Sequence, residues 1–162
     1  MAYLSAHGRR CIAYDRRGHG RSVESAAGYE FNTLSDDLSA VMQQLDLQGV
    51  TLVAHSMGCG GLVRYFPLHG GRHASPVLHE GAPPASSCLY DPDFRPDLQT
   101  ISLPTLITPG DCDTSTPLEL TGRKTAALIL GSQLKVYESA AHGLPVTHAE
   151  RLKHDLLVFA SS

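Results

Sequence analysis

A serine at position 56 lies in the stretch TLVAHSMGCGG, residues 51–61, where a short apolar run is followed by small residues around the serine. An ordinary strand-to-helix turn explains this pattern, because serine is a common helix N-cap. A nucleophile elbow explains it equally well, since a strained serine crowded by the next helix needs small neighbours. Ala54 stands where glycine is usual in such an elbow, and it keeps that position small.

Carboxylate and imidazole side chains that could activate this serine follow it along the chain. Asp111 and Asp113 come after one apolar run, and His142 comes after another. A serine hydroxyl is a weak nucleophile at neutral pH and needs a base. Histidine can accept and return a proton near pH 7, and a carboxylate can fix the tautomer of that histidine. The residue types therefore favour nucleophilic catalysis, with the choice between the two aspartates open.

The elements that must position these side chains alternate between β-type runs and helical patterns. This alternation predicts a parallel sheet covered by helices, an α/β fold. The predicted strands are residues 10–15, 50–55, 75–81, 103–111 and 134–139. Because functional groups gather at the carboxyl ends of parallel strands, Ser56, the two aspartates and His142 are expected at one edge of the sheet.

Helices are predicted between these strands. One is expected to begin near Asn32 or Thr33, the next to follow Ser56, and a third to span residues 117–130. The last is predicted by apolar residues that share one face, namely Ala149, Leu152, Leu156 and Phe159. The proline-rich segment 81–100 lacks periodicity and is interpreted as a connection.

Four blocks of sequence are similar, in order, to the cofactor-free haloperoxidase and esterase branch of the α/β hydrolases. They are YDRRGHGRS (14–22), VAHSMGCGGLVRY (53–65), LPTLITPGDCDTSTP (103–117) and LKVYESAAHGLPVTHAERL (134–152). The resemblance implies serine-dependent hydrolysis of carboxylic esters, often with perhydrolysis by peroxide as a side activity, and no cofactor or metal. It assigns Ser56 as nucleophile and His142 as base, in the serine–aspartate–histidine chain order of this superfamily.

The same resemblance chooses between the aspartates. The family pattern is a glycine, two variable residues, an aspartate, three residues and a proline, and Gly110, Asp113 and Pro117 fit it. Asp113 is therefore the expected third member, and Asp111 is interpreted as a turn carboxylate. The backbone N–H of Met57 is expected to stabilise the oxyanion. His55 resembles a family residue that lines the site without a chemical role.

Two parts of the family pattern have no counterpart in this sequence. The chain opens at the helix before the fourth family strand, and the helical cap is missing near GAPPASSC, so we expect a reduced, capless fold of about five strands and an open, shallow pocket. We expect residues 10–15 to slide into the vacant place beside residues 50–55. A backbone N–H from Arg16, or from Arg17, would then supply the second oxyanion donor, and dimerisation would protect the exposed edge.

Composition narrows the functional classes further. The 162 residues, 42% hydrophobic with a net charge of −3, predict one globular domain over residues 1–162. The arginines of RRCIAYDRRGHGR bracket an apolar run, so no nucleic-acid partner is expected. Four cysteines without a CxxC pair, and no apolar run of membrane-spanning length, favour a reduced, cytoplasmic protein without a membrane partner. No metal-ligand motif is found among the nine histidines.

Three functions remain in order of preference. The first is a carboxylesterase for small, short-chain esters that acts as a homodimer or higher homo-oligomer. The second is a cofactor-free perhydrolase that uses the same triad with peroxide. The third is a non-catalytic protein that keeps the hydrolase fold, which the missing oxyanion loop favours and the complete set of triad residues opposes.

Overall fold

A computed structural model describes residues 1–70, 74–79 and 93–162. Its elements, in chain order, are α1 (Ala2–Ala6), α2 (Phe31–Gln44), β1 (Val50–His55), α3 (Met57–His69), β2 (Ala74–His79), α4 (Arg95–Thr100), β3 (Leu106–Thr108), α5 (Gly122–Leu128), β4 (Gln133–Leu134), α6 (Leu144–Thr147) and α7 (Ala149–Phe159). Strands alternate with helices, as the sequence pattern predicts.

The four strands form one parallel sheet in the order β1-β2-β3-β4. Val53 of β1 is opposite Val77 of β2, which is opposite Leu106 of β3. Past the carboxyl ends of β3 and β4, the pairing of these two chain segments continues as a single parallel bridge between Gly110 and Tyr137. The carboxyl ends of β1, β3 and β4 therefore lie along the same edge of the sheet.

The prediction of a fifth strand at residues 10–15 is wrong. These residues form no strand, and within the described part of the chain β1 pairs with β2 alone. An extended segment becomes a strand only when a neighbour accepts its backbone hydrogen bonds. The expected slide of residues 10–15 to a place beside β1 has therefore not occurred, and β1 is an edge strand.

Three helix predictions also need correction. Helix α2 begins at Phe31, so its N-cap is Glu30, and Asn32 and Thr33 lie inside the helix. The Thr33 hydroxyl donates to the Glu30 carboxylate. Helix α5 begins at Gly122, after a turn in which the Thr121 hydroxyl donates to the carbonyl of Pro117. Residues 95–100, predicted as connection, form α4; residues 81–92 of that segment lie outside the described residues.

Apolar side chains fill both faces of the sheet. Leu78 of β2 and Ile107 of β3 point to one face, where α2, α3 and α4 pack in the main core. Val77 and Leu106, their neighbours in sequence, point to the opposite face and contact Phe159 of α7. All four of these strand residues are fully buried. The alternation is that of a sheet covered by helices on both faces.

Gly60 and Gly61 lie on the face of α3 that meets α2, and not on a face that meets the sheet. A Cβ on Gly60 would overlap the ring of Phe31, and one on Gly61 would touch Leu34 at 3.5 Å. The two glycines therefore allow close packing of α2 on α3. This packing fixes the helix whose first residue follows Ser56.

The outer part of β1 is only partly covered. Val53 is 50% exposed, whereas Val77, its partner on β2 and on the same face, is fully buried.

Within residues 1–70, 74–79 and 93–162, no helix is long and apolar enough to cross a bilayer.

Candidate active site

Ser56 occupies a tight turn between β1 and α3. Its backbone has φ 53° and ψ −128°, a region that residues with a side chain rarely adopt. The Ser56 carbonyl accepts the N–H of Cys59 at 2.9 Å, which starts the helix immediately after the turn. Such a conformation costs on the order of 1–3 kcal/mol and persists only where the surrounding structure imposes it. The geometry is that of a nucleophile elbow.

His142 lies in the loop between β4 and α6, 86 residues after Ser56 in the chain. Its Nε2 is 3.0 Å from the Oγ of Ser56. The loop is held in place by backbone hydrogen bonds from Asp111 N–H to the Tyr137 carbonyl, 3.1 Å, and from Cys112 N–H to the Ala140 carbonyl, 3.0 Å. These bonds join the histidine loop to the loop after β3.

Asp113 lies in that loop after β3, and its carboxylate is nearly inaccessible to solvent. The Nδ1–H of His142 donates to its Oδ2 at 2.9 Å. The backbone N–H groups of Ser115 and Thr116 donate to Oδ1, at 2.8 and 3.0 Å, and the Thr116 hydroxyl donates to Oδ2 at 2.6 Å. Burial raises the pKa of Asp113, but these hydrogen bonds outweigh it and bring the pKa below its usual value.

This arrangement fixes the tautomer of His142. An ionised carboxylate can only accept, so the proton of the neutral imidazole is on Nδ1 and Nε2 is free to accept the Ser56 proton. Asp111 is two residues away but points elsewhere. It is exposed, and its carboxylate hydrogen-bonds to the Cys112 thiol and raises the pKa of that thiol. The structure thus brings together Ser56, His142 and Asp113 and leaves Asp111 outside.

The two expected oxyanion donors are placed differently. Met57 is the first residue of α3, so its N–H is one of those that no intrahelical carbonyl can reach. Its side chain is 61% exposed. Arg16 lies in a turn after residues 10–15, where its carbonyl accepts the N–H of His19 at 2.9 Å. The role of Arg16 stays a prediction, without the strand pairing on which it was based.

Two contributions to the site were not foreseen from the sequence. Thr116 supports Asp113 through both its backbone and its hydroxyl, and the aspartate–Thr–Ser–Thr order, residues 113–116, is a signal for such a turn. His55 contacts the backbone of His142: Nε2 of His55 is 3.2 Å from the His142 carbonyl oxygen. No local sequence signal identifies that contact, because it joins residues that are 87 positions apart.

The chemistry available to this site is nucleophilic acyl transfer. It contains a hydroxyl, a base within hydrogen-bonding distance and an orienting carboxylate, which are the parts of an activated serine. In the described part of the chain, no group of three or more His, Cys, Asp or Glu residues is arranged to hold a metal ion. Among the other histidines, His69 has its Nε2 3.0 Å from the Oδ1 of Asp36.

Comparison with known proteins adds family information to this geometry. Residues 1–96 match the family model described as alpha/beta hydrolase fold. A non-heme chloroperoxidase of Kitasatospora aureofaciens is 32% identical, over 94% of this chain and 82% of its own length. A bifunctional esterase/perhydrolase of Acinetobacter calcoaceticus is 27% identical, over the whole of this chain and 85% of its own length. The alignment with the chloroperoxidase has 226 positions, more than this chain has residues.

Solved structures show the same fold. A bromoperoxidase from Bacillus anthracis superposes with a TM-score of 0.86 at 26% identity, covering 92% of this chain and 80% of the bromoperoxidase. An esterase from Exiguobacterium antarcticum, at 24% identity, superposes with a TM-score of 0.85 over 91% of this chain and 80% of the esterase.

Proposed function

The chain belongs to the α/β-hydrolase fold family, in its cofactor-free haloperoxidase-like branch, and on that premise we propose that it is a serine carboxylesterase. The observation that carries the proposal is the continuous hydrogen-bond chain from Ser56 through His142 to Asp113, with links of 3.0 and 2.9 Å. Relatives named as an esterase and as an esterase/perhydrolase support a hydrolase.

The proposed reaction starts with attack of the Ser56 Oγ on the ester carbonyl carbon. His142 Nε2 takes the hydroxyl proton, and Asp113 stabilises the resulting imidazolium. The Met57 N–H donates to the oxyanion of the tetrahedral intermediate, helped by its place at the positive end of α3. His142 then returns the proton to the leaving alcohol, and water attacks the acyl-enzyme by the same path in reverse.

The proposed substrates are small esters with short acyl chains. Fifteen residues, 80–94, connect β2 to α4, where members of this family carry a helical cap of several dozen residues. A cap of that size encloses an acyl pocket, so its absence favours substrates that need little enclosure. The alignment with the chloroperoxidase has more positions than this chain has residues, so this chain lacks residues that the relative has inside the aligned span.

The decisive test is hydrolysis of p-nitrophenyl acetate and p-nitrophenyl butyrate by wild type and by Ser56→Ala. We expect the variant to lose about 10³-fold or more in kcat, because no other group can form the acyl-enzyme. Circular dichroism and molar mass, measured on the same preparations, control for folding. A folded Ser56→Ala variant that keeps the wild-type rate contradicts the proposal.

Perhydrolysis is the second candidate, favoured by the chloroperoxidase and the esterase/perhydrolase among the relatives. In this reaction hydrogen peroxide, in place of water, attacks the acyl-enzyme and releases a peracid. The peracid oxidises bromide and returns to the carboxylic acid. Bromination that requires peroxide, acetate and Ser56 together, at a rate above ester hydrolysis, would favour this function.

The third hypothesis is a non-catalytic protein with a hydrolase fold. A covalent serine probe distinguishes it from the esterase and the perhydrolase. A fluorophosphonate reacts only with an activated serine, so stoichiometric labelling that disappears in Ser56→Ala would exclude a non-catalytic role. Absence of labelling in folded wild-type protein would support it.

Self-association through β1 is part of the proposal. An edge strand exposes a row of unpaired backbone groups, and VTLVAH contains no lysine or proline that would block pairing. A second copy offers the same edge, so two β1 strands can pair about a twofold axis. The occupant proposed for this edge is therefore β1 of another copy.

A further inference from the structure

His55 is the side chain at the site to which neither the sequence nor the proposed reaction gives a task. We propose that it is a positioning residue that holds His142 at reacting distance from Ser56. The proposal rests on the proposed function, and it deepens the account of that site. It is carried by the 3.2 Å contact between His55 Nε2 and the His142 carbonyl, and by the packing of the two rings.

The direction of this hydrogen bond is fixed by chemistry. A backbone carbonyl only accepts, so Nε2 of His55 carries the proton and donates it. The two imidazole rings are 5.3 Å apart between centroids and inclined at 46°. His55 therefore restrains the His142 backbone through the hydrogen bond and limits movement of the His142 ring through contact.

A restraint is needed because the triad is divided across the sheet. Asp113 and His142 belong to two loops that are joined to each other, after β3 and after β4. Ser56 follows β1, and β2 and β3 separate it from β4. Two contacts connect the end of β1 to the loop after β4: the one between Ser56 and His142, and the hydrogen bond from His55 to the His142 carbonyl. His55 is adjacent to Ser56 in the chain, so it ties the base directly to the strand that carries the nucleophile.

The hydrogen bond between Ser56 Oγ and His142 Nε2 cannot by itself hold His142 in place throughout the reaction. It breaks in each cycle of the proposed reaction, when the Ser56 proton moves to Nε2 of His142 and the serine oxygen bonds to the acyl carbon. His55 is exposed to solvent, but its bond to the His142 carbonyl takes no part in proton transfer, so no step of the proposed reaction requires that bond to break. Misplacement of a reacting group by about 1 Å can cost about 100-fold in rate. Loss of the His55 donor should therefore lower kcat.

Three substitutions of His55 separate the donor from the ring. His55→Gln keeps an N–H donor at similar reach, His55→Phe keeps a ring without a donor, and His55→Leu keeps neither. We expect the glutamine variant to stay near wild type in kcat for p-nitrophenyl acetate. The phenylalanine and leucine variants should fall by about 10–100-fold in kcat with little change in KM. His154→Gln, an exposed histidine of α7, is the control.

A second readout does not depend on turnover. In protein labelled with ¹⁵N-histidine, the Nδ1–H proton of His142, assigned with His142→Gln, should exchange slowly with solvent in wild type and His55→Gln, and quickly in His55→Phe. Equal exchange in all variants, or equal loss of kcat in His55→Gln and His55→Phe, overturns the positioning role. If wild type shows no Ser56-dependent turnover, the proposed function fails, and the exchange measurement still decides the role of His55.

Discussion

Asp113 and Asp111 are only two positions apart in the chain, but they differ in burial and in hydrogen bonding. Asp113 is buried and accepts hydrogen bonds from His142, Ser115 and Thr116, whereas Asp111 is exposed. Because its pKa lies below its usual value, Asp113 is ionised at neutral pH and can stabilise the imidazolium of the proposed reaction. The side chain that orients the base can therefore be identified by substitution.

Asparagine at the two positions gives a matched pair. Asp113→Asn keeps the shape but permits the wrong histidine tautomer, so we expect kcat to fall by about 10³–10⁴-fold. Asp111→Asn removes an exposed carboxylate and should leave kcat near wild type. Steady-state hydrolysis of p-nitrophenyl acetate measures both. A larger loss in Asp111→Asn than in Asp113→Asn would show that the other carboxylate orients the base.

The loop after β3 carries Asp113, and the histidine loop after β4 carries His142. Hydrogen bonds join the two loops to each other. Gly110, in the loop after β3, lies so close to the histidine loop that a Cβ on it would overlap the carbonyl oxygen of Ala140. Gly143, in the histidine loop itself, has open space where its Cβ would be and a negative φ of −84°. The contact at Gly110, and not glycine flexibility, should therefore control where His142 lies.

Alanine at these two glycines tests that contact. Gly110→Ala must displace backbone, because its obstacle is a carbonyl and not a flexible side chain. We expect a loss of about 100-fold in kcat, and a destabilisation of about 1–3 kcal/mol from overpacking. Gly143→Ala should change neither quantity appreciably. Kinetics and urea unfolding of both variants provide the measurement, and similar behaviour of the two would contradict the argument.

A polar cluster joins α7 to residues 135–137, which directly follow β4. Asp155 accepts from Lys135 at 2.8 Å and from the hydroxyl of buried Tyr137 at 2.6 Å, and Arg151 stacks on the Tyr137 ring at 4.1 Å. Burial raises the pKa of Asp155, but the hydrogen bonds from Lys135 and Tyr137 outweigh it. The pKa therefore lies below its ordinary 3.8.

This lowered pKa gives the cluster a defined pH dependence. The unfolded chain takes up the Asp155 proton at a higher pH than the folded protein, so the contribution to stability is complete above about pH 4 and declines as the pH falls through the folded pKa. Asp155→Asn should lower the free energy of unfolding at pH 7 by about 1–3 kcal/mol and make the decline below pH 4 shallower. Urea titrations at pH 7, 5 and 3.5 test this, with Asp46→Asn, at an exposed turn, as control. Parallel pH curves for wild type and Asp155→Asn would contradict it.

Local patterns were sufficient for some elements and not for others. The run VTLVAH followed by small residues predicted β1 and the elbow, because both depend on neighbouring residues. Residues 10–15 have an equally apolar pattern but no partner in the described sheet, and a strand depends on its partner. Helix α4 was missed because it is short, although Pro96 in its first turn and the apolar pair Phe94 and Leu98, four positions apart, were signals in the sequence. The contact between His55 and His142 depends on tertiary structure alone.

At the scale of the whole molecule, the sheet is covered unevenly. Helix α7 covers β2 and β3 on one face, and the same face of β1 leaves Val53 half exposed. Val158 is exposed to the same extent but belongs to helix α7 and not to a strand. The pair offers a controlled test of the proposed self-association.

Lysine on an edge strand opposes pairing with another strand. We therefore expect Val53→Lys to convert a wild-type dimer to monomer, and Val158→Lys to leave the dimer intact. Light scattering after size-exclusion chromatography, over a range of protein concentrations, measures the mass. A monomeric wild type, or equal masses for the two variants, would remove the support for pairing through β1.

The left-handed backbone of Ser56 has a consequence for the relation between activity and robustness. The residue proposed to carry the chemistry is also one that opposes folding, since its conformation costs on the order of 1–3 kcal/mol in a protein whose total stability is on the order of 5–15 kcal/mol. Glycine would relieve that strain and abolish the nucleophile in a single change. A search for heat-tolerant variants of this chain by stability alone would therefore favour inactive ones at position 56, and such a search has to select for turnover at the same time.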